Sequence, residues 1–552
     1  MENRIFTVAT SHLDTVWRWE LPKTIEEFLP DTVEKNLELL EKYPHYRFNF
    51  EGAFRYELIE EYYPLAFEEI KRYAKEGRWN PSGSAYENGD VNIPSPEAIF
   101  RNFLYGNRYF EEKLGTKSND IFLPDCFGFG WALPSVARHA HLKGFTTQKL
   151  GWGGAYERPF NIGLWRGVDG KSIYASLNPL SYRNKFDGTV RGNTSYEIFD
   201  EIDELAKKQK VTLPVWNNEL LMRSHGAGAY TSRTMSKRLN AQNEILADYC
   251  EKACVAADLL TSYKYPTEII ERAWKRVIQH QFHDDITGTS TMLVYNDSWN
   301  DYYVSLSQFK NEYEGAVGAI ANELDTSWCK ECAVIVNNPV AIRRKDAVEA
   351  HVKLSHNAKY VKVVDEKGRE VPCQIQKKQG KEFDIIFTAD VPSVGYRVYD
   401  VQASDKPYSK ETELKVSEHV LENGRYRVML NKNGDIASIT DKKLKVKLLS
   451  APVKLALLHD TGELNYPSWE MRKEDIDGEP YAYAGDPQFE IVENGAARAA
   501  IKITRRGGAS KFIQTVSLTA NGEYIRIENY VDWQDRRTLL KAQFPFNAEN
   551  DE

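Results

Sequence analysis

Along the first part of the chain, short apolar runs of strand character alternate with longer stretches of helical period. Ile5-Phe6-Thr7-Val8-Ala9 reads as a strand, and Asp31 to Tyr43 reads as a helix with Asp31 as its N-cap. Tyr46 to Glu51 is a second strand. Tyr56 to Glu76 is helical, interrupted at Pro64 and closed by Gly77. Ser95-Pro96-Glu97 places an N-cap before a proline at the first helical position and opens a helix to about Leu114. Ile121-Phe122-Leu123 is another short strand, and Leu164 to Tyr174 reads as a hairpin on a two-residue turn within Val168-Asp169-Gly170-Lys171. This alternation predicts an α/β domain over 1–228, a (β/α) barrel-like unit of parallel strands with helices outside. In such folds the working face lies where the strands finish.

The period then lengthens. Met235, Leu239, Gln242, Leu246, Tyr249, Ala253, Ala256 and Leu260 alternate at intervals of four and three, which predicts one long helix with a single, mostly apolar seam. A second helix is expected from Thr267 to Phe282. A third carries Tyr302, Leu306, Phe309, Tyr313, Ala316 and Ile320, so 229–328 reads as a three-helix bundle. From Ala333 onward short β-rich runs alternate with turn signals, among them Tyr360 to Val364, Phe383 to Phe387, Tyr426 to Leu430 and Phe512 to Leu518. Asn433-Gly434 marks a hairpin. Residues 333–552 are therefore expected to form a β-sandwich. It is expected to be incomplete, because Phe544-Pro545-Phe546-Asn547 reads as the start of a further strand.

Composition narrows the function classes. The 552 residues exceed one core, and 42% hydrophobic with 28% charged residues fits a globular protein. A net charge of −8 without a basic tract argues against nucleic acid as the main partner. No stretch approaches the roughly 18 apolar residues of a membrane span. The N-terminus lacks the apolar region of a signal peptide, which points to the cytoplasm, or to the periplasm or exterior if a signal has been removed. Six scattered cysteines do not suggest a disulfide framework, and Cys329-x-x-Cys332 lacks the second pair a zinc site needs.

The candidate chemistry starts at Thr10-Ser11-His12-Leu13-Asp14-Thr15-Val16-Trp17. In extended backbone i and i+2 point the same way, so His12 and Asp14 project together from a strand end and make half a metal site. Alone, the pair is weak evidence and fits a hydrogen-bonded histidine near a strand end with Asp14 capping the next turn. Asp125, in Pro124-Asp125-Cys126-Phe127-Gly128, ends another strand of the same domain. His283, in Gln281-Phe282-His283-Asp284-Asp285-Ile286-Thr287-Gly288-Thr289, follows the second helix of the bundle, where a helix C-terminal cation is the competing reading. Two imidazoles with two carboxylates suit Zn2+ better than Mg2+ or Ca2+, which prefer oxygen shells.

Taken in order, the strand-His-x-Asp-x-x-Trp, Pro-Asp-x-Phe-Gly, Tyr-Thr-Ser and Gln-x-His-Asp-x-x-Thr-Gly-Thr stretches resemble glycoside hydrolase family 38, the zinc-dependent retaining α-mannosidases, in its bacterial form. The resemblance runs over nearly the whole chain. It implies that His12, Asp14, Asp125 and His283 hold one Zn2+, with Co2+ an alternative, and that Asp125 is also the catalytic nucleophile. A carboxylate on a divalent cation keeps its negative charge and can attack an anomeric carbon to give a covalent glycosyl-enzyme. The resemblance further implies exo-acting hydrolysis of terminal α-linked mannose, from an oligosaccharide or a glycoprotein glycan. The cation would grip two adjacent hydroxyls, including the axial 2-hydroxyl.

The remaining assignments are looser. Glu219, in Trp216-Asn217-Asn218-Glu219-Leu220 just before Tyr230-Thr231-Ser232, falls near the position of the family's acid/base. Its spacing departs from that of the animal Golgi-type members. Asp284 is expected to bind substrate or support a ligand. Trp17 and Phe127 are candidates for stacking on the pyranose, Tyr230 for a hydrogen bond to it, and Glu87 and Asp90 for binding its hydroxyls. Two other readings stay open at this point: a metal-dependent carbohydrate deacetylase and a non-catalytic, metal-assisted sugar-binding protein. Association into a homo-oligomer is compatible with the sequence.

Overall fold

The computed structural model describes residues 6–152, 158–177, 192–222, 225–462 and 465–549. Ile5, in the expected first strand, lies outside them. The chain divides into two compact units. The first comprises Met1–Glu251, Pro266–Tyr313 and Gly462–Met471; the second comprises Lys252–Tyr265, Glu314–Thr461 and Arg472–Glu552.

In the first unit the segment ahead of His12 makes one parallel bridge, Thr10 to Asn49. Phe48–Glu51 pairs in parallel with Trp79–Ser82. Asp120–Phe122, Gly144–Thr146, Ser172–Ser176, Ile162–Arg166 and Val215–Trp216 lie side by side in that order. All neighbours run parallel except the hairpin Ile162–Arg166 with Ser172–Ser176. That hairpin pairs Arg166 with Ser172, so its connection is 167–171 rather than the two-residue turn expected. The core of this layer comprises Ile121, Phe145, Trp165 and Ala175, all fully buried. The Phe145 and Trp165 rings lie 5.2 Å apart, and burial of each such ring contributes about 1.5–3 kcal/mol.

Helices cover the sheet much as the periodicity predicts, with one correction. The helix expected from Asp31 begins earlier, at Leu21, and runs through a π-turn at Thr24–Phe28 into Leu29–Lys42. Pro22 and Pro30 explain this: one starts the helix, and the other has no N–H to continue a regular α-helical ladder. Ala53–Tyr62 and Pro64–Lys75 break at Pro64 as expected. Pro96–Leu114 is capped by Ser95, whose hydroxyl accepts from the Ala98 N–H at 3.3 Å. On that helix Gly106 lies against the 84–86 backbone, and a Cβ there would meet the Ala85 carbonyl carbon at 2.3 Å. Only glycine allows this helix to press on the loop leading to Glu87.

The helices expected over 229–328 are Thr234–Leu260, Thr267–Gln279, which ends short of the expected Phe282, and Val294–Glu323. Seam residues Leu239, Trp274 and Phe309 are buried, and the Trp274 and Phe309 rings lie 5.9 Å apart. Among the described residues no helix is long and apolar enough to cross a membrane. No disulfide forms among the six cysteines.

The second unit is β-rich and among the described residues holds five sheets, where a single sandwich was expected. Cys332–Asn338, Gly395–Ser404 and Tyr360–Val364 belong to one sheet, and Arg344–Lys353 with Glu382–Val391 to another; both contribute to a core containing Phe383, Phe387 and Val401. A separate core around Val428, Ile439, Ile501 and Val516 joins Tyr426–Leu430 and Ile436–Asp441 to Arg498–Gly507 and Ser510–Thr519. A smaller core holds Leu455, Leu457, Ala484 and Phe512. The break into separate cores is physical. Each short amphipathic strand set buries its own apolar face, and a single core over this length would outgrow what two layers can cover. The Asn433-Gly434 hairpin forms as expected, with Gly434 at φ +79°.

Candidate active site

The parallel strands bring the chemistry to one end of the first unit. Past Thr10 come His12 and Asp14; Glu51 ends Phe48–Glu51; Glu87 and Asn88 follow Trp79–Ser82; Asp125 follows Asp120–Phe122; Lys149 follows Gly144–Thr146. His283 arrives separately, four residues beyond Thr267–Gln279. It is docked by a bridge between Gly89 and Phe282 and by its own N–H donating to Asn88 O at 3.3 Å.

One potential ligand atom from each of His12, Asp14, Asp125 and His283 lies within 4.8 Å of all the others. Asp14 Oδ1 is 3.0 Å from His12 Nε2 and 3.4 Å from His283 Nε2. Asp125 Oδ2 is 3.9 Å from each imidazole Nε2. The other edge of each ring is engaged from behind: His12 Nδ1 by Glu51 Oε1 at 2.7 Å, and His283 Nδ1 by Asn88 O at 2.8 Å. Both acceptors fix the Nδ1–H tautomer and turn an Nε2 lone pair toward the carboxylates, the orientation that metal-binding imidazoles require. Asp14 Oδ1 and His283 Nε2 are buried and make no hydrogen bond among the described residues. This donor set fits a divalent cation of the Zn2+ type.

The electrostatics point the same way. Burial opposes a charged His12, yet Asp14 and Glu51 hold its imidazole well above the ordinary value. His283 is raised against burial by Asp14 and Asp284. Against the same burial the two imidazoles hold the Asp14 carboxyl far below the usual carboxylate range. The enclosure therefore favours positive charge at its centre.

The other expected site residues divide. Asp284 is 3% exposed; its Oδ2 lies 3.6 Å from His283 Nε2, and its Oδ1 accepts from Thr289 Oγ1 at 2.5 Å. Burial pushes its carboxyl up to about 7. Phe127 is buried, with its ring 6.4 Å from that of His283. Trp17 is half-buried and lines a neighbouring cleft of about 620 Å3. Glu219 stands just before Leu220–Leu221, which pairs with Gly128–Phe129 a few residues past Asp125. It is not one of the four clustered side chains.

Three further expected residues are engaged within the protein. Glu87 is fully buried, and its carboxylate accepts from Arg55 Nη1 at 2.9 Å, Thr15 Oγ1 at 2.8 Å and the Asn88 N–H at 2.6 Å. Asp90 is buried, with Oδ1 accepting from the Asn92 and Ile93 N–H groups at 2.8 and 2.7 Å, while its Oδ2 has no hydrogen-bond partner among the described residues. The Tyr230 hydroxyl donates to Phe127 O at 2.6 Å.

Several site residues were not anticipated. Lys149 Nζ donates to Asp125 Oδ1 at 2.7 Å, and Glu51 and Asn88 orient the imidazoles. Trp469 joins Phe127 and Ala229 in a small cluster, with Trp17 and Tyr466 packed against it. His225 pairs with Glu470 at 3.0 Å. Positions at strand ends could have flagged Glu51 and Lys149; no local pattern marks 465–470.

Comparison with known proteins agrees with this geometry. Residues 2–296 match the glycosyl hydrolases family 38 N-terminal domain, which covers all four clustered side chains. The chain belongs to glycosyl hydrolase family 38. Residues 421–552 match the C-terminal domain of the same family. Alpha-mannosidase G of Dictyostelium discoideum is 23% identical over 98% of this chain and 56% of its own length. Alpha-mannosidase 2C1 of Homo sapiens is 22% identical over 99% and 54%. The crystal structure of an alpha-mannosidase from Enterococcus faecalis V583 superposes with a TM-score of 0.79 at 17% identity, covering 98% of this chain and 75% of the other, and so shares the fold of a mixed α/β N-terminal part and a multi-sheet β C-terminal part. The chain spans about half the length of the curated relatives it matches.

Proposed function

We propose that this chain carries the catalytic machinery of a retaining, exo-acting α-mannosidase that releases terminal α-linked mannose through a covalent mannosyl-enzyme. The observation that carries this reading is the clustering of His12, Asp14, Asp125 and His283 with both imidazoles turned inward by Glu51 and Asn88. Membership of family 38 and the names of its relatives supply the sugar. We further read the chain as an α/β barrel-like domain at 1–228, a helical bundle at 229–328 and β domains over 333–552.

His12, Asp14, Asp125 and His283 would hold Zn2+, or Co2+ with the same ligands. When bound, the cation supplies Lewis-acid charge to adjacent hydroxyls of the sugar. Asp125 is the nucleophile. Lys149 holds its Oδ1 at 2.7 Å and so fixes the plane of the carboxylate toward the sugar-binding side. The attack forms an ester to C1 while the leaving oxygen takes a proton; water then cleaves the ester, with the same acid acting as base, and configuration is retained. Glu219 is the proposed acid/base. Asp284, with Oδ1 bonded to Thr289, is positioned to accept a hydrogen bond from a sugar hydroxyl. Trp17 and Phe127 would exclude water and stack on the ring.

Hydrolysis of 4-nitrophenyl α-mannopyranoside, followed by proton NMR of the first-formed anomer, tests the proposal. It expects α-mannose first, loss of turnover on chelation and recovery with Zn2+. Turnover that survives chelation, or β-mannose first, overturns it. Asp125→Asn is expected to lower kcat at least about a thousandfold.

A further inference from the structure

One sheet of the second unit has two edges that are built differently. Its strands are Gly485–Asn494, Arg498–Gly507, Ser510–Thr519 and Arg526–Asp532, in that order and all antiparallel. The edge strand Gly485–Asn494 carries Pro487 and shifts register twice, between Gly485 and Gln488 and between Ile491 and Glu493. Proline and bulges keep a sheet edge from recruiting another strand. The opposite edge, Arg526–Asp532, has neither. It pairs with Ser510–Thr519 over seven consecutive residues without a shift, and it contains no proline and no lysine. Among the described residues no strand pairs with its outer side, so its outward N–H and C=O groups lack a ladder partner there.

The side chains of this strand are unfinished in the same direction. Ile527 and Val531 stand opposite Val516 and Phe512, which are buried, so both lie on the face that carries the core. Val531 is nevertheless 37% exposed, and Tyr530 on the other face is 66% exposed. Its charges select the strand that fits. A second copy of Arg526–Asp532, laid antiparallel about a two-fold axis at Asn529, opposes Arg526 to Asp532, Ile527 to Val531 and Glu528 to Tyr530, each twice. The neighbouring registers fail. Centring the pair on Glu528 opposes that carboxylate to its own copy, and centring it on Tyr530 opposes Glu528 to Asp532; like charges directly opposed are destabilising. A slip by one residue turns the apolar face outward. Within one chain Arg526 donates to Glu528 at 2.9 Å and Gln534 donates to Asp532 at 2.7 Å, exposed contacts that water already weakens and that can be exchanged for the partner's groups. We propose that Arg526–Asp532 is a self-association surface, at which two copies of this chain join their four-stranded sheets edge to edge in the register that opposes Arg526 to Asp532. One strand pair with its flanking side chains is a small interface, so the dimer is concentration-dependent.

Sedimentation velocity of the full 552-residue chain from about 1 to about 200 µM tests this. The unaltered chain is expected to pass from monomer toward dimer over that range. Arg526→Asp and Asp532→Arg should each weaken the dimer at least about tenfold, because each opposes like charges at both ends of the pairing. An equimolar mixture of the two variants should associate again, since the carboxylate introduced at 526 then faces the guanidinium introduced at 532. A monomer at every concentration, single substitutions without effect, or a mixture of folded variants that stays monomeric overturns the proposal. Amide hydrogen exchange of the unaltered chain decides it without any substitution. Protection over 526–532 should rise with concentration while protection over 485–494 stays constant. Protection over 526–532 that does not depend on concentration refutes the surface.

Discussion

Glu51 Oε1 lies 2.7 Å from His12 Nδ1, at the end of a strand whose Asn49 bridges Thr10. The contact ties the orientation of one proposed metal ligand to the register of two adjacent parallel segments. A buried carboxylate behind an imidazole fixes its tautomer and raises its basicity.

Glu51→Ala should therefore weaken metal binding about 10–100-fold. Glu51→Gln, which keeps an acceptor oxygen, should lose less. Competition against a chromogenic chelator measures both. Equal affinity for the unaltered chain and Glu51→Ala would show that the contact does not support the ligand.

Arg55 and Glu87 form a fully buried ion pair that also reaches the His12 segment through Arg55 Nε to Leu13 O at 2.8 Å and Thr15 Oγ1 to Glu87. Glu87→Gln leaves a guanidinium without its counter-charge and should cost about 3–5 kcal/mol in denaturant unfolding. Replacing both residues by methionine should cost less than the sum of the single changes. Additive losses would mean that the two side chains act independently.

His280 offers a pH test away from the clustered ligands. Burial opposes its charge, but Asp285 at 2.8 Å and Asp301 at 3.0 Å raise it to about 9. Arg276, 3.5 Å from Asp301, and Ser298, bonded to Asp285, complete its surroundings. Since the folded value exceeds the unfolded one, the stabilisation is fully present below about pH 6.5 and is lost as pH rises through about 9. It amounts to on the order of 3 kcal/mol. Thermal midpoints between pH 6 and 9.5 should fall in the unaltered chain and fall less in His280→Gln. Parallel profiles would contradict the assignment.

Much of the site was legible because strand ends obey a period of two and project their side chains in known directions. His12 with Asp14, and Asp125, could be placed in this way, and the helix ending before His283 supplied the fourth. The burial of Glu87 was not legible, because an acidic residue in a polar loop looks solvated and nothing local reveals that Arg55, in the helix Ala53–Tyr62, needs a partner there. The Tyr230 contact was hidden for a related reason: its hydroxyl donates to a backbone carbonyl, that of Phe127, which only the fold brings near. The segment 462–471 sits among β-strands in the sequence but belongs to the first unit, so periodicity could not associate Trp469 with Trp17. The strands past 332 were recognisable one by one. Their division into separate cores depends on which faces pair, and short alternating runs do not encode that.

Anomalous diffraction at the zinc edge from crystals of the zinc-loaded chain tests the central claim most directly. The account predicts one peak about 2.0–2.2 Å from Nε2 of His12 and His283 and from a carboxylate oxygen of Asp14 and of Asp125. A peak elsewhere, or none among these four side chains, would contradict it.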